Sequence, residues 1–300
     1  MTKNYMILFS GTSNEPLAQK VAVQCGIPLG KVEITRFIDN ECRVYVQEDV
    51  ADKEVFVLQS LSQIADQNLV ELCLLGQAMK QLKAKKVTAI IPWMGYSKQD
   101  KEFRKGEAVS AQLVAKFIEA AGFDAIITVE LHSENVTPYF HIPVKELATR
   151  QLLSQKLNKH ARMIVVSPDK GGKSRSEQFA KAIGLPVVYL EKTRDLQTGA
   201  VKILSTSADV KDFDVIIFDD IINTGSTAIK SAQFLKAQGA LSIHFLATHP
   251  VLAGDASYQL SKSPIDQITV TDTIYIPRQN LFSKLNVVSV ASLLVKNLQT

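Results

Sequence analysis

The 300-residue sequence predicts an α/β protein built from two tandem domains, each a mainly parallel sheet flanked by helices. Three observations carry that prediction. Short apolar runs of strand length alternate with amphipathic segments of helix length, the grammar of a layered α/β fold. The runs are apolar throughout, as strands covered on both faces are. The pattern also repeats after a break near residues 145–150, and the length suits two ordinary domains. Domains over 1–147 and 148–300 are therefore expected, with the final helix free to pack back on the first.

The elements follow in order. Tyr5–Phe9 reads as a buried strand, Gly11–Asn14 supplies a turn and an N-cap, and Pro16 opens a helix that stops at Gly26. Between Lys31 and Gln47, Val32 and Ile34, then Val44 and Val46, alternate with polar residues, giving two strands around the polar stretch Arg36–Glu41. Strands at Glu54–Gln59 and Lys86–Pro92 flank a helix at Asn68–Lys83. A helix at Ser110–Ala121, closed by Gly122, precedes a strand that runs from Asp124 to Leu131 and ends at His132. In the second half, strand Met163–Ser167, Gly171-Gly172 and a helix to Ile183 lead to strand Val187–Leu190 and a polar link, Glu191–Lys211. The apolar run from Val215 ends in Asp219 and Asp220, and a helix begins near Ala228 and stops at Gly239. Strands at Leu241–Thr248, Gln267–Thr271 and Asn286–Val290, and helices at Ala253–Ser261 and Ala291–Leu298, complete the chain.

Composition narrows the function. With 46% hydrophobic and 21% charged residues, disordered and collagen-like classes are excluded. The net charge of +4 is dispersed, and the aromatics are not interleaved with Lys or Arg, which fits anionic small molecules and argues against nucleic acid. No apolar run approaches the roughly 20 residues that span a bilayer, and Met1–Asn4 opens no signal peptide, so a cytoplasmic protein without membrane contact is expected. Cys25, Cys42 and Cys73 show no C-x-x-C spacing and read as reduced structural thiols. His141, His160, His244 and His249 match no metal-ligand spacing.

The most specific chemistry lies in Val215–Thr227. Small and hydroxylated residues in Asn223-Thr224-Gly225-Ser226-Thr227 let backbone N–H groups converge on an anion at a helix start, a phosphate-binding arrangement. Asp219 and Asp220 cannot share that phosphate, since like charges repel; sugar hydroxyls or a divalent cation suit them. The Gly-Lys-Ser/Thr of a Walker loop is absent from Val215–Thr227, so this stretch is not a P-loop.

This stretch resembles the phosphoribosyl pyrophosphate-binding loop shared by phosphoribosyltransferases and ribose-phosphate pyrophosphokinases. The resemblance implies phosphoribosyltransferase-like domains, with Asp219 and Asp220 on the ribose hydroxyls and Asn223, Thr224, Gly225, Ser226 and Thr227 on the 5-phosphate. Further stretches resemble the pyrophosphokinases in particular. Arg36–Glu41 is similar to their adenine-contacting segment, which implies that Phe37 stacks on the base and that Asp39 and Glu41 reach it. Tyr96-Ser97-Lys98-Gln99-Asp100 resembles a segment that binds ATP across its phosphates, through Lys98, Gln99 and Asp100 here. Lys98 stands where the family usually has Arg, keeping the charge and losing the planar fork. Glu130-Leu131-His132 and Val165–Gly172 resemble segments that place His132 and Asp169 near Mg²⁺, and Glu191–Arg194 resembles the catalytic loop, which makes Lys192 and Arg194 the catalytic cations. The implied activity transfers pyrophosphate from MgATP to the 1-hydroxyl of ribose 5-phosphate, in a homo-oligomer of two or more chains. A non-catalytic synthetase-associated subunit and a phosphoribosyltransferase are the alternatives.

Overall fold

Short strands that are apolar on both faces must be covered on both, and this requirement shapes the computed structural model. It describes residues 6–158, 160–168, 171–194 and 201–298, the side chains of 192–194 and 201–202 excepted. The chain divides into two units, one comprising Met1–Ala148, Thr273–Tyr275 and Ser289–Thr300, the other Thr149–Asp272 and Ile276–Val288.

The first unit contains β1 (Met6–Ser10), α1 (Glu15–Cys25), β2 (Val32–Arg36), β3 (Cys42–Val46), β4 (Glu54–Leu58), α2 (Ala65–Gln81), β5 (Lys86–Ile91), α3 (Ser110–Ala120), β6 (Ala125–Val129) and β7 (Val144–Leu147). Its main sheet has the order β1-β4-β5-β6-β7 with every pairing parallel, and β2 and β3 form a separate antiparallel pair. Helix α1 starts where the Asn14 side chain accepts the Leu17 N–H and ends where Gly26 takes a φ of 66°. Phe9, Val57, Leu72, Leu75, Met79 and Ile91 are fully buried between sheet and helices.

A polar cluster fixes the turn after β1. Glu71, 2% exposed, accepts the Thr12 N–H at 2.7 Å and the Gln59 amide at 2.7 Å, while Gln59 accepts the Ser13 N–H at 3.0 Å. Gly11 is required beside it, because a Cβ there would lie 2.4 Å from Gln59 Oε1. Glu71→Ala removes the acceptor of the Thr12 N–H and leaves the buried Gln59 amide only a longer 3.4 Å bond to the Asn68 carbonyl, and is expected to cost about 2 kcal/mol. Urea unfolding measures it, and an unchanged midpoint would refute this account of the cluster.

The second unit contains α4 (Arg150–Ser154), β8 (Met163–Ser167), α5 (Lys173–Ile183), β9 (Val187–Arg194), β10 (Val201–Thr206), β11 (Asp214–Ile222), α6 (Ser226–Ala237), β12 (Ser242–Pro250), α7 (Ala256–Lys262), β13 (Gln267–Thr271) and β14 (Leu285–Val288). The sheet order is β10-β9-β8-β11-β12-β13-β14, parallel except for the β10–β9 edge pair. The last helix, α8 (Ala291–Leu298), belongs to the first unit and packs on α1. The α/β class with mainly parallel sheets flanked by helices is thus observed.

Three sequence expectations are corrected. Among its described residues the link Glu191–Lys211 is mostly strand: β9 runs on to Arg194 and Val201–Thr206 pairs with it. Its β-branched residues, Thr193, Val201, Ile203 and Thr206, favour an extended chain, and an exposed edge strand needs only one apolar side. Second, Asp219 and Asp220 do not end their strand; β11 continues, with Ile221 opposite His249 and Ile222 opposite Pro250. Third, α6 begins at Ser226, two residues ahead of the amphipathic pattern. The 3-10 helix Glu134–Tyr139, β7 and α4 were not foreseen, being too short to show a period.

Burial pushes the pKa of His244, on β12, down from 6.5 to about 4, and its Nε2 lies 2.9 Å from Thr269 Oγ1. The unfolded imidazole takes a proton below 6.5 and the folded one only near 4, so stability should fall as pH drops through that window. His244→Gln should flatten this slope in urea midpoints taken at several pH values; an identical slope would exclude the assignment.

Candidate active site

Parallel sheets present loops at the carboxyl ends of their strands, and most of the candidate residues lie there, each within its own unit. In the first unit the loop after β5 carries Lys98, Gln99 and Asp100, and His132 follows the adjacent strand β6. Lys98 and Gln99 are exposed. Gln99 Oε1 accepts from Ser110 Oγ at 2.6 Å, which anchors the loop to the start of α3.

Asp100 faces inward. It is 7% exposed, and its Oδ2 accepts from Ser133 Oγ at 2.5 Å and Asn135 Nδ2 at 2.8 Å, while its carbonyl accepts from Tyr139 Oη at 2.7 Å. Burial alone would raise its pKa, but the bonds from Ser133 and Asn135, with its own backbone N–H and the Lys101 charge, together outweigh burial and hold the carboxyl below its ordinary value. Asp100 therefore ties the loop of Lys98 and Gln99 to the segment after His132. Glu130, two residues before His132, is 6% exposed with a φ of 40°, a left-handed conformation that is unusual for a non-glycine residue.

Phe37, Asp39 and Glu41 sit on the β2–β3 hairpin, a separate pair packed against α2. The Phe37 ring is 54% exposed, as a stacking platform must be. Phe37 N–H donates to the Glu41 carbonyl at 2.9 Å, and the Asp39 carboxylate accepts the Glu41 N–H at 3.2 Å.

In the second unit the loop after β11 leads directly into α6. Gly225 at the N-cap takes a φ of 75° and has no side chain to cap α6, the Ser226 N–H reaches Thr224 Oγ1 at 3.5 Å, and Asn223, Thr224, Ser226 and Thr227 are exposed around this helix start. The loop is held from behind by Leu252 N–H on the Ile222 carbonyl at 3.1 Å and Ala253 N–H on the Asn223 carbonyl at 3.0 Å. This end of α6 has the form of an anion site.

Asp219 and Asp220 differ. The Asp220 side chain is 1% exposed and that of Asp219 is 16% exposed. Both meet Arg175 in the first turn of α5, whose Nη1 lies 2.8 Å from Asp220 Oδ1 and 3.3 Å from Asp219 Oδ1. Sequence reasoning missed Arg175. A signal existed: Lys173 and Arg175 put cations at a helix start, where the dipole disfavours them unless an anion is near.

Lys192 and Arg194 lie on the β9 backbone, whose pairing with β10 shifts register between Ile203 and Ser205, opposite Lys192 and Glu191. The side chains of Lys192 and Arg194, and the whole of Asp169, lie outside the described residues. No group of three or more His, Cys, Asp or Glu among the described residues could hold a metal by itself.

An exposed, hydroxyl-rich helix start beside strand-borne carboxylates, on a parallel sheet, defines an α/β protein with an anion-binding form of loop. Residues 6–122 match the family model of the N-terminal domain of ribose phosphate pyrophosphokinase, and residues 190–300 that of the phosphoribosyl synthetase-associated domain. A ribose-phosphate pyrophosphokinase of Ralstonia nicotianae is 37% identical over 277 residues, which cover 91% of this chain and 87% of that protein. Ribose-phosphate pyrophosphokinase 1 of Streptococcus pyogenes is 34% identical over 301 residues, 99% of this chain and 94% of that one. The crystal structure of phosphoribosylpyrophosphate synthetase from Mycobacterium smegmatis superposes with a TM-score of 0.92 at 32% identity, covering 98% of this chain and 97% of that one. The chain belongs to the ribose-phosphate pyrophosphokinase family.

Proposed function

We propose that this protein transfers the β,γ-diphosphoryl group of ATP to the 1-hydroxyl of ribose 5-phosphate, giving 5-phosphoribosyl 1-pyrophosphate and AMP for nucleotide biosynthesis. The observation that carries this reading is the family likeness over nearly the whole chain, supported by the exposed loop at Asn223–Thr227 that leads into the N-terminus of α6. In the reaction the 1-hydroxyl oxygen bonds to the β-phosphorus, the α,β-bridging bond breaks, AMP leaves with the bridging oxygen, and the hydroxyl proton is released.

The residues take separate tasks. Asn223 to Thr227 bind the 5-phosphate through the α6 N-terminus, and Asp219 and Asp220 fix the ribose hydroxyls. Phe37 stacks on adenine, with Asp39 and Glu41 at its edge; Lys98 and Gln99 meet the phosphates, and Asp100 holds their loop. Lys192 and Arg194 balance the charge that develops as the bridge breaks. For Mg²⁺, a hard cation that keeps its waters and takes one or two carboxylates with the substrate's own phosphates, Asp169 is the proposed ligand in the second unit and His132 a proposed ligand in the first. When bound it would draw charge from the phosphoryl oxygens. We place the protein in the cytoplasm as a homo-oligomer; no helix among the described residues is long and apolar enough to cross a membrane.

Chromatography of a mixture with MgATP and ribose 5-phosphate tests the reading. AMP formation that depends on ribose 5-phosphate is expected. Folded protein yielding no AMP would favour a non-catalytic subunit, and consumption of phosphoribosyl pyrophosphate with a nucleobase would favour a phosphoribosyltransferase.

A further inference from the structure

We infer that Arg175 is a positioning residue for the sugar subsite, acting through Asp219 and Asp220; the inference rests on the reading of those carboxylates as ribose contacts. Adjacent residues of a strand point to opposite faces, so two neighbouring aspartates do not by themselves converge on one ligand. One Arg175 nitrogen lies 2.8 Å from Asp220 Oδ1 and 3.3 Å from Asp219 Oδ1, drawing both carboxylates to one point. The pair would otherwise hold two repelling negative charges in a place where neither is more than 16% exposed.

Helix α5 is built to hold that guanidinium still. Ser176 Oγ donates to the Phe218 carbonyl at 3.3 Å, and the Phe179 and Phe218 rings stack with centroids 4.2 Å apart, so α5 is registered on β11 beside the two aspartates. On its other side Glu177 accepts from Tyr189 Oη at 2.7 Å, and Lys173 Nζ sits 4.7 Å from the Tyr189 ring centroid. Tyr189 lies on β9, the strand that carries Lys192 and Arg194. The same helix therefore fixes the strand of the sugar carboxylates and the strand of the proposed catalytic cations. Asp220, the more buried carboxylate, anchors Arg175, and Asp219, the more exposed, is left facing the ligand.

Steady-state kinetics and calorimetry on Arg175→Ala, Arg175→Lys, Asp219→Asn and the Arg175→Ala/Asp219→Asn double variant test this. For Arg175→Ala the KM for ribose 5-phosphate should rise on the order of tenfold, with kcat and the KM for ATP changed less than about threefold. Arg175→Lys should recover part of the loss, since an ammonium keeps the charge without the fork. The double variant should bind no more weakly than its weaker parent, because both changes break one unit. An unchanged KM in Arg175→Ala, a kcat loss without a KM change, or losses that multiply in the double variant would each overturn the inference. Asp219→Asn separates the two claims. If it weakens ribose 5-phosphate binding while Arg175→Ala does not, the sugar reading stands and the Arg175 role falls; if it does not, both fall. If Arg175→Ala does not fold, Arg175→Lys carries the same criteria.

Discussion

Lys192→Ala is expected to lower kcat by about a hundredfold or more, with the dissociation constant of ribose 5-phosphate unchanged. Removing one preorganised charge from a site where negative charge develops costs on the order of 3 kcal/mol of barrier. The effect falls on kcat because the departing AMP gains its charge only as the bridging bond breaks, so the ammonium does more for the transition state than for the bound substrates. Lys192 lies on the β9 backbone, opposite the register shift in its pairing with β10. Stopped-assay rates with calorimetric ribose 5-phosphate binding give both quantities. A rate within a few-fold of wild type would remove Lys192 from the mechanism, and a lost sugar affinity would show that it serves binding instead.

The second large effect is expected at Asp220. Asp220→Ala removes one partner of an ion pair whose carboxylate is 1% exposed and 2.8 Å from Arg175. Breaking such a pair from one side typically costs about 3–5 kcal/mol, since the remaining charge stays buried. Arg175 keeps Asp219, so the lower end of that range is expected, together with weakened ribose 5-phosphate binding. Asp219→Asn should weaken binding with a much smaller loss of stability. Urea unfolding and calorimetry on both variants measure this contrast; equal stability losses would contradict the division of labour between the two carboxylates.

Much of the fold was legible because its signals are local. The run Val215–Phe218, the glycine-bearing turn and the amphipathic helix after it lie in one stretch, and the structure forms strand, loop and helix there. The cap at Asn14 and the stops at Gly26 and Gly239 read correctly for the same reason. What was illegible depends on partners far along the chain. Val201–Thr206 becomes a strand only by pairing with β9 at the sheet edge. Arg175 meets Asp220 across 45 positions, and Asp100 meets Ser133 across 33, and no spacing rule links such residues. Asp100, which its motif places among the ATP contacts, is also bonded within the protein, its Oδ2 accepting from Ser133 and Asn135.

The central claim is that the diphosphoryl group moves as one piece to the sugar. Phosphorus NMR of ATP, Mg²⁺ and ribose 5-phosphate with the protein follows all three phosphorus atoms at once. The account predicts that the α-phosphorus appears in AMP while the β- and γ-phosphorus remain joined in a diphosphate ester of the sugar, in equal amounts. ADP with a singly phosphorylated new product, or unchanged ATP with folded protein, would contradict it.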